Sequence, residues 1–243
     1  KATGFVALIV LLTKVFESSG QSWGVILAIV AGATMTLGNL VALQQTNPVR
    51  LLAYSSISQA GFIIAPLAVS GITGNYQDGI FASVTYLIIY AFMNIGAFLS
   101  VHLFTNFTKS DNFYEWGGIA KHSPLTGVLT TVFFFSLAGI PPLGGWFAKF
   151  VVFRSLLSTG EIIGISLAIV GAINAVIALV YYARISKVIW MDELKNPEEE
   201  KSFEFQSPLK VVGALTVLIT FVSGIFPGIF SYLGEVSSIF FGN

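Results

Sequence analysis

The sequence contains no cysteine, only two histidines (His102 and His122), and only 10% charged residues, where a soluble domain carries about 25%. Each shortage excludes a class of chemistry. Without thiolates an iron–sulfur cluster has none of its usual ligands, and a zinc site of the Cys/His type has too few donors. The formal net charge is zero, so no global basic field recruits nucleic acid. There is no glycine-rich phosphate loop at a strand–helix junction and no Ser-His-Asp arrangement. Carboxylates are also missing from the interior of every apolar run. Glu17, Asp78, Asp111, Glu115, Glu161, the group from Asp192 to Glu204, and Glu235 all fall in loops or at the ends of runs.

What is present is apolar. Of 243 residues, 55% are hydrophobic, and mean hydropathy is +0.83. At about 20 apolar residues per crossing, the pattern predicts an all-α membrane protein with about seven transmembrane helices, in one domain over residues 1–243. Span A runs from Lys1 to about Phe16, B from Ser22 to Leu43, and C from Val49 to Val69 with Pro66 as a kink near its end. Span D runs from Gly79 to Phe104, and E from Pro124 to Leu157. Span F runs from Ile162 to Trp190, and G from Leu209 to Phe230 with Pro227 near its end. The chain opens on a lysine followed at once by a hydrophobic run, with no initiating methionine and no signal peptide. It therefore reads as truncated at the N-terminus.

Basic residues sort between the loops. Arg50, Lys109, Lys121, Arg184, Lys187, Lys195, Lys201 and Lys210 lie on one side, whereas only Lys14 and Arg154 lie on the other. By the positive-inside rule the first set faces the cytoplasm, which places the C-terminus outside. Two lysines remain within spans, Lys1 and Lys149.

Lys149 is the most informative residue. It follows the helix-breaking run Gly139-Ile140-Pro141-Pro142-Leu143-Gly144-Gly145, in which Gly139, Pro141, Pro142, Gly144 and Gly145 interrupt span E. A charge at such depth costs roughly 2.5–3.5 kcal/mol on insertion scales. Snorkelling does not rescue it. Ser158 is nine residues on, about 13 Å of helix, and a lysine side chain reaches roughly half of that. A buried ammonium requires a partner or gives up its proton. With no carboxylate within a span, the partner lies outside this chain or the lysine faces water and titrates. Alternatively, the lysine is structural and bonds carbonyls freed by the break. Broken helices mark ion sites in transporters, and irregular backbone at membrane depth is tolerated where it lines a hydrated cavity. The functional expectation is proton relay.

Lys1 is either an intramembrane lysine or an interfacial anchor, depending on what precedes it. Other polar groups thread the spans: Thr34, Thr36 and Asn39 in B, Tyr86, Tyr90 and Asn94 on one face of D, and Asn174 in F. Thr36, Asn39, Tyr90, Asn94 and Asn174 are candidates for a water chain. Ordinary interhelical hydrogen bonding is the competing reading for each. Gly32, Gly38, Gly96 and Gly171 read as close-packing positions. The loop from Thr105 to Ser123 mixes Phe107, Phe113, Tyr114 and Trp116 with charge, as an interfacial segment or an aromatic belt does.

Several segments together resemble a known family. Asn47 to Gly61, beginning Asn-Pro-Val-Arg-Leu-Leu, resembles the tenth helix of the antiporter-like membrane subunits of respiratory complex I. Tyr86 to Phe98 resembles the eleventh. Leu137 to Phe150, which contains the Gly-Ile-Pro-Pro-Leu-Gly-Gly run and Lys149, resembles the broken twelfth. Lys1 to Phe5 resembles the lysine-bearing part of the eighth. M-type subunits of the family carry glutamate in place of Lys149, and L-type subunits extend into a long lateral helix. This chain has neither feature and is most similar to the N-type branch of NADH-quinone oxidoreductase.

The resemblance implies one five-helix antiporter-like repeat at residues 22–190 plus flanking helices. It implies a proton-translocating subunit in the inner (cytoplasmic) membrane of a bacterial cell, set in lipid between M-type and K-type subunits. Lys149 would be the terminal lysine of the proton relay, and Lys1 its connecting lysine. NADH, flavin, iron–sulfur clusters and quinone would belong to other subunits, with no cofactor or metal in this chain. A D-type subunit of a multisubunit cation/proton antiporter and a non-conducting scaffold remain the alternatives.

Overall fold

The computed structural model describes residues 2–193 and 207–242. Lys1 and the stretch 194–206 lie outside the described residues, as does most of the acidic group between Asp192 and Glu204. The described residues are helical throughout. The helices are α1 (Ala2–Val10), α2 (Gly20–Leu43), α3 (Pro48–Thr73), α4 (Tyr76–Thr108), α5 (Ile119–His122), α6 (Pro124–Ala138), α7 (Gly144–Ser158), α8 (Ile162–Met191), α9 (Ser207–Ile225) and α10 (Gly228–Gly242).

Local sequence sets several of these ends. Asn47 caps α3 by accepting a hydrogen bond from the Arg50 amide at 3.0 Å, and Pro48 occupies the first turn, where its missing N–H is harmless. Gly74 then ends α3 in the left-handed conformation at φ 76°, as helix C-termini favour. Pro66 sits well inside α3, which continues to Thr73.

By length and apolarity, α2, α3, α4 and α8 each suffice to cross a membrane. The pair Val211–Ile225 and Gly228–Gly242 qualifies only jointly, because it bends by 85°. The apolar helices at Ala2–Val15 and Pro124–Ala138 are shorter. Among the described residues, four helices are thus long and apolar enough to cross singly, and the bent pair would make a fifth if it counts as one span. The bend corrects the expectation of one continuous span from Leu209 to Phe230. Pro227 cannot donate a backbone hydrogen bond. The chain turns there, and the Pro227 carbonyl instead accepts the amides of Phe230 and Ser231 at 3.0 Å.

The bundle is organised around α3 and α4. Most of α3 is buried, and α4 meets α3, α6, α7, α9 and α10. Large apolar side chains project from the outer helices. Ile26 and Ile29 on α2, Val176 on α8 and Leu218 on α9 are each more than half exposed. An apolar exterior of this kind suits lipid rather than water. Of the small residues, Gly38 and Gly96 are tight: a methyl group would lie 2.6 Å from the Ser58 amide nitrogen and 2.2 Å from the Phe133 ring. Gly171 lies close to Phe62 and Phe153. Gly32 does not have a close-packing role, since a methyl group there would be in ordinary contact with Leu167 at 3.9 Å.

The segment between α4 and α6 departs from the interfacial reading. Phe113 and Trp116 are completely buried, and only Tyr114 is exposed. Trp116 packs edge-on to Phe104 at 5.4 Å. The reason is backbone pairing across the end of the bundle: the Phe113 amide donates to the Thr46 carbonyl and the Gly118 amide to the Val188 carbonyl, both at 3.1 Å.

The polar residues of α2 and α8 join each other. Asn39 Nδ2 donates to the backbone carbonyl of Asn174 at 2.9 Å and to its side-chain oxygen at 3.0 Å. Asn174 Nδ2 donates to Thr36 Oγ1 at 3.2 Å. Tyr181 Oη donates to Asn39 Oδ1 at 2.9 Å. These are interhelical hydrogen bonds, one of the two readings the sequence allowed for these residues. Asn39 is fully buried, so Asn39→Leu strands its partners. It should cost about 1–2 kcal/mol, read as a lowered thermal midpoint of the detergent-solubilised protein.

Candidate functional site

Helix α6 stops at Ala138 because Gly139 turns left-handed at φ 96°, a conformation in which a side chain is strained. Helix α7 restarts at Gly144, five residues later. The two half-helices are 15 residues each, about 22 Å apiece, so neither crosses a bilayer core alone. Between them the Ile140 amide reaches back to Phe135, and the Leu143 amide donates to Ile140. The carbonyls of Leu137 and Ala138 have no amide partner in this pattern. Such orphan carbonyls at a helix end carry the negative end of the helix dipole.

Lys149 satisfies them. From the second turn of α7 its Nζ donates to the Ala138 carbonyl at 2.6 Å and to the Leu137 carbonyl at 3.1 Å. The side chain is only 5% exposed and lies 5.3 Å from the centroid of the Phe62 ring, within cation–π range. Among the described residues its hydrogen-bond partners are the chain's own backbone carbonyls. The lysine points back to the break rather than out to the interface. Gly139 makes room for it: a methyl group there would sit 2.8 Å from Lys149 Cδ. Gly145 lets α7 pass directly over α6, since a methyl group there would lie 1.7 Å from the Ser136 carbonyl oxygen. The Gly145 amide also donates to Ser136 Oγ at 3.1 Å.

The arrangement accommodates both protonation states. A neutral amine has two N–H donors, and two carbonyls await them. An ammonium has three, the third facing an aromatic ring and the helix dipole. Among the described residues no carboxylate bonds the amine.

Gln59 and Tyr86 complete the site; from sequence Tyr86 stood only as one of the polar groups on one face of its span, and Gln59 carried no assignment of its own. Gln59 Nε2 donates to the Leu137 carbonyl at 3.2 Å, sharing the acceptor that Lys149 uses. Tyr86 Oη donates to Gln59 Oε1. Both residues are buried. The available signal was the spacing on α3. Ser55, Gln59 and Phe62 stand at i, i+4 and i+7, so they share one helix face. Ser55 Oγ bonds Tyr182 Oη at 2.5 Å. Tyr90 is also buried, its hydroxyl unpartnered among the described residues. It lines a groove with Gly4, Phe5, Leu8 and Ser56. Asn94 is half-buried on the same face of α4 and takes no part in either network. Lys1, the other relay candidate, lies outside the described residues.

Near the opposite end of α7, Arg154 approaches Asp78 at 3.8 Å, and Ser155 Oγ donates to Asp78 Oδ2 at 2.6 Å. Arg154 is 60% exposed. Arg154→Ala should therefore shift stability by less than about 1 kcal/mol and leave ion translocation intact. Thermal melts and transport assays of the same preparation check both. His102 bonds Asn106 at 2.8 Å, and no three His, Asp or Glu side chains gather among the described residues.

The structure is a helical membrane-type bundle with a buried lysine folded over a break between two half-helices, a kind of feature that marks ion sites in transporters. The chain belongs to the NADH:quinone oxidoreductase/Mrp antiporter transmembrane family, whose model matches residues 1–177. It is 37% identical over 233 residues to NAD(P)H-quinone oxidoreductase subunit 2 of Rippkaea orientalis, covering 93% of this chain and 44% of that protein. It is 39% identical over 241 residues to NADH-quinone oxidoreductase subunit N 2 of Rhizobium meliloti, covering 98% of this chain and 47% of that protein. Among solved structures it resembles a chain of the Mrp complex from Dietzia sp., with a TM-score of 0.83 at 20% identity, covering 98% of this chain and 50% of that one. The likeness at 20% identity shows the fold. The chain spans about half the length of the curated relatives it matches.

Proposed function

We propose that the chain forms part of a proton-translocating, N-type subunit of the membrane arm of NADH:quinone oxidoreductase, with Lys149 as a proton carrier. The observation that carries this is the placement of Lys149: buried, its Nζ donating to two carbonyls at a helix break, with no carboxylate bonded to it among the described residues. Seven spans, a five-helix repeat at residues 22–190 and a relay reaching back through Lys1 belong to the same reading. So do neighbours of the M and K types, a bacterial inner membrane and an outward C-terminus. NADH oxidation and quinone reduction would take place in other subunits, on their flavin, iron–sulfur clusters and quinone. This chain would only move protons.

The likeness to the Mrp complex supports a second reading, a D-type subunit of a cation/proton antiporter. The relatives at 37% and 39% identity, both named as quinone oxidoreductase subunits, favour the first. Lys149 variants assayed in the assembled complex test the proposal. NADH-driven proton uptake into vesicles should fall with assembly intact. Full translocation by a Lys149 variant would remove the role.

A further inference from the structure

A groove of about 630 Å³ runs between α6 and α8. On α8 it is lined by Val180, Ala183, Arg184, Lys187 and Trp190. These recur at i, i+3, i+4, i+7 and i+10, so they form one stripe on a single helix face, about 15 Å long. On α6 Phe135 forms part of the floor. The stripe is graded. Its inner end, around Val180 and Phe135, is apolar, and Val180 is half exposed. Its middle carries two basic side chains. Its outer end carries Trp190, whose ring is fixed by an Nε1 hydrogen bond to Thr131 Oγ1 at 2.9 Å.

Arg184 Nη1 donates to the carbonyl of Leu43, the last residue of α2, at 3.1 Å. That bond holds the guanidinium at the level where α2 ends and leaves its other N–H donors available. Lys187 is exposed one turn further on. Asp192 and Glu193 follow α8 and do not line the groove.

We propose that this groove binds an anionic glycerophospholipid, with its phosphate between Arg184 and Lys187 and one acyl chain along Val180, Ala183 and Phe135. Charge complementarity selects the occupant. A purely apolar helix from a neighbouring subunit would leave two cations facing it, whereas a phosphate answers both. Basic pockets between membrane helices recognise lipid headgroups in this way, and an indole at the same end suits the headgroup layer. The site depends on the helices lying in a bilayer and is independent of any role for Lys149.

The test is native mass spectrometry of the purified full-length protein after exposure to micelles containing dioleoyl-phosphatidylglycerol or dioleoyl-phosphatidylcholine. Phosphatidylglycerol should be retained preferentially. Lys187→Gln, a surface change, should weaken that retention roughly fivefold, as loss of one basic side chain near a headgroup does. Ala183→Phe, which fills the groove, should lower retention of both lipids. Equal retention of the two lipids, or retention unmoved by Lys187→Gln, would overturn the site. So would a photoreactive residue at Val180 that crosslinks to a neighbouring polypeptide rather than to lipid.

Discussion

Lys149→Arg and Lys149→Gln in the assembled complex are each expected to lower NADH-driven proton translocation by about tenfold or more, the scale on which positioned proton-transfer groups act. Assembly should be near normal in both. The pair separates two roles that the geometry allows Lys149 to hold together. As a structural cap it need only donate hydrogen bonds to the Leu137 and Ala138 carbonyls. Glutamine, one bond shorter, still offers two N–H donors, and arginine offers five and keeps the charge. Neither exchanges a proton as an amine does, because the guanidinium does not deprotonate in proteins and the amide does not titrate. A cap-only lysine therefore predicts translocation close to normal in both variants, and a proton carrier predicts loss in both. Lys149→Ala is the less informative change. It strands the Ala138 carbonyl in a buried site at about 1–3 kcal/mol, so its effect on transport mixes lost chemistry with lost stability.

The interruption of the span near residue 140 was legible because glycine and proline act on the backbone locally. A left-handed glycine and two prolines end a helix whatever surrounds them. The depth of Lys149 was legible for a similarly local reason: the distance to the nearest span end exceeds the side chain. What the lysine bonds to was not legible, although carbonyls freed by the break stood among the readings. Whether the lysine reaches them depends on the angle at which α7 folds back over α6, which is a tertiary fact. Gln59 was missed, and Tyr86 was named without a partner, for the same reason. A glutamine in an apolar helix signals a polar contact, but only packing says with what.

Interhelical hydrogen bonding and a water chain both stood as readings for Thr36, Asn39 and Asn174 when each helix was read alone. Their spacing carries no information about whether the facing helix supplies water or another amide. In the fold they bond one another, and the network extends to Tyr181, which carried no signal beyond its place in an apolar run. The aromatics between α4 and α6 misled in the opposite direction. Phe113 and Trp116 suit a membrane interface by composition, yet two backbone hydrogen bonds to distant segments draw them under the bundle. Pro227 was read only as lying near the end of the last span, and the 85° bend around it depends on the face of α4 against which α10 packs.

Gly145→Ala should have the largest effect on the protein itself. A methyl group at that position would stand 1.7 Å from the Ser136 carbonyl oxygen and 2.7 Å from its carbonyl carbon. Both are backbone atoms, so no side-chain rotation relieves the overlap. Either α7 moves away from α6 or the last turn of α6 unwinds. Overpacking of this kind commonly costs 1–3 kcal/mol, and an overlap with backbone this deep belongs at or above about 3 kcal/mol, which is a large share of a protein's total stability. Any displacement of α7 also carries Lys149 away from the carbonyls of Leu137 and Ala138, and it breaks the bond from the Gly145 amide to Ser136 Oγ. The expected result is a sharp fall in the amount of subunit recovered in the assembled complex, together with loss of translocation in whatever assembles. Gly160→Ala supplies the contrast. Gly160, unlike Gly145, adopts a positive φ, 68°, but nothing lies within 4 Å of an added methyl group, so only backbone strain of roughly 1–2 kcal/mol opposes it. Assembly and transport should survive. Equal recovery of the Gly145 and Gly160 variants, measured on the same membranes, would mean that α6 and α7 are not held in the crossing that places Lys149 over the break.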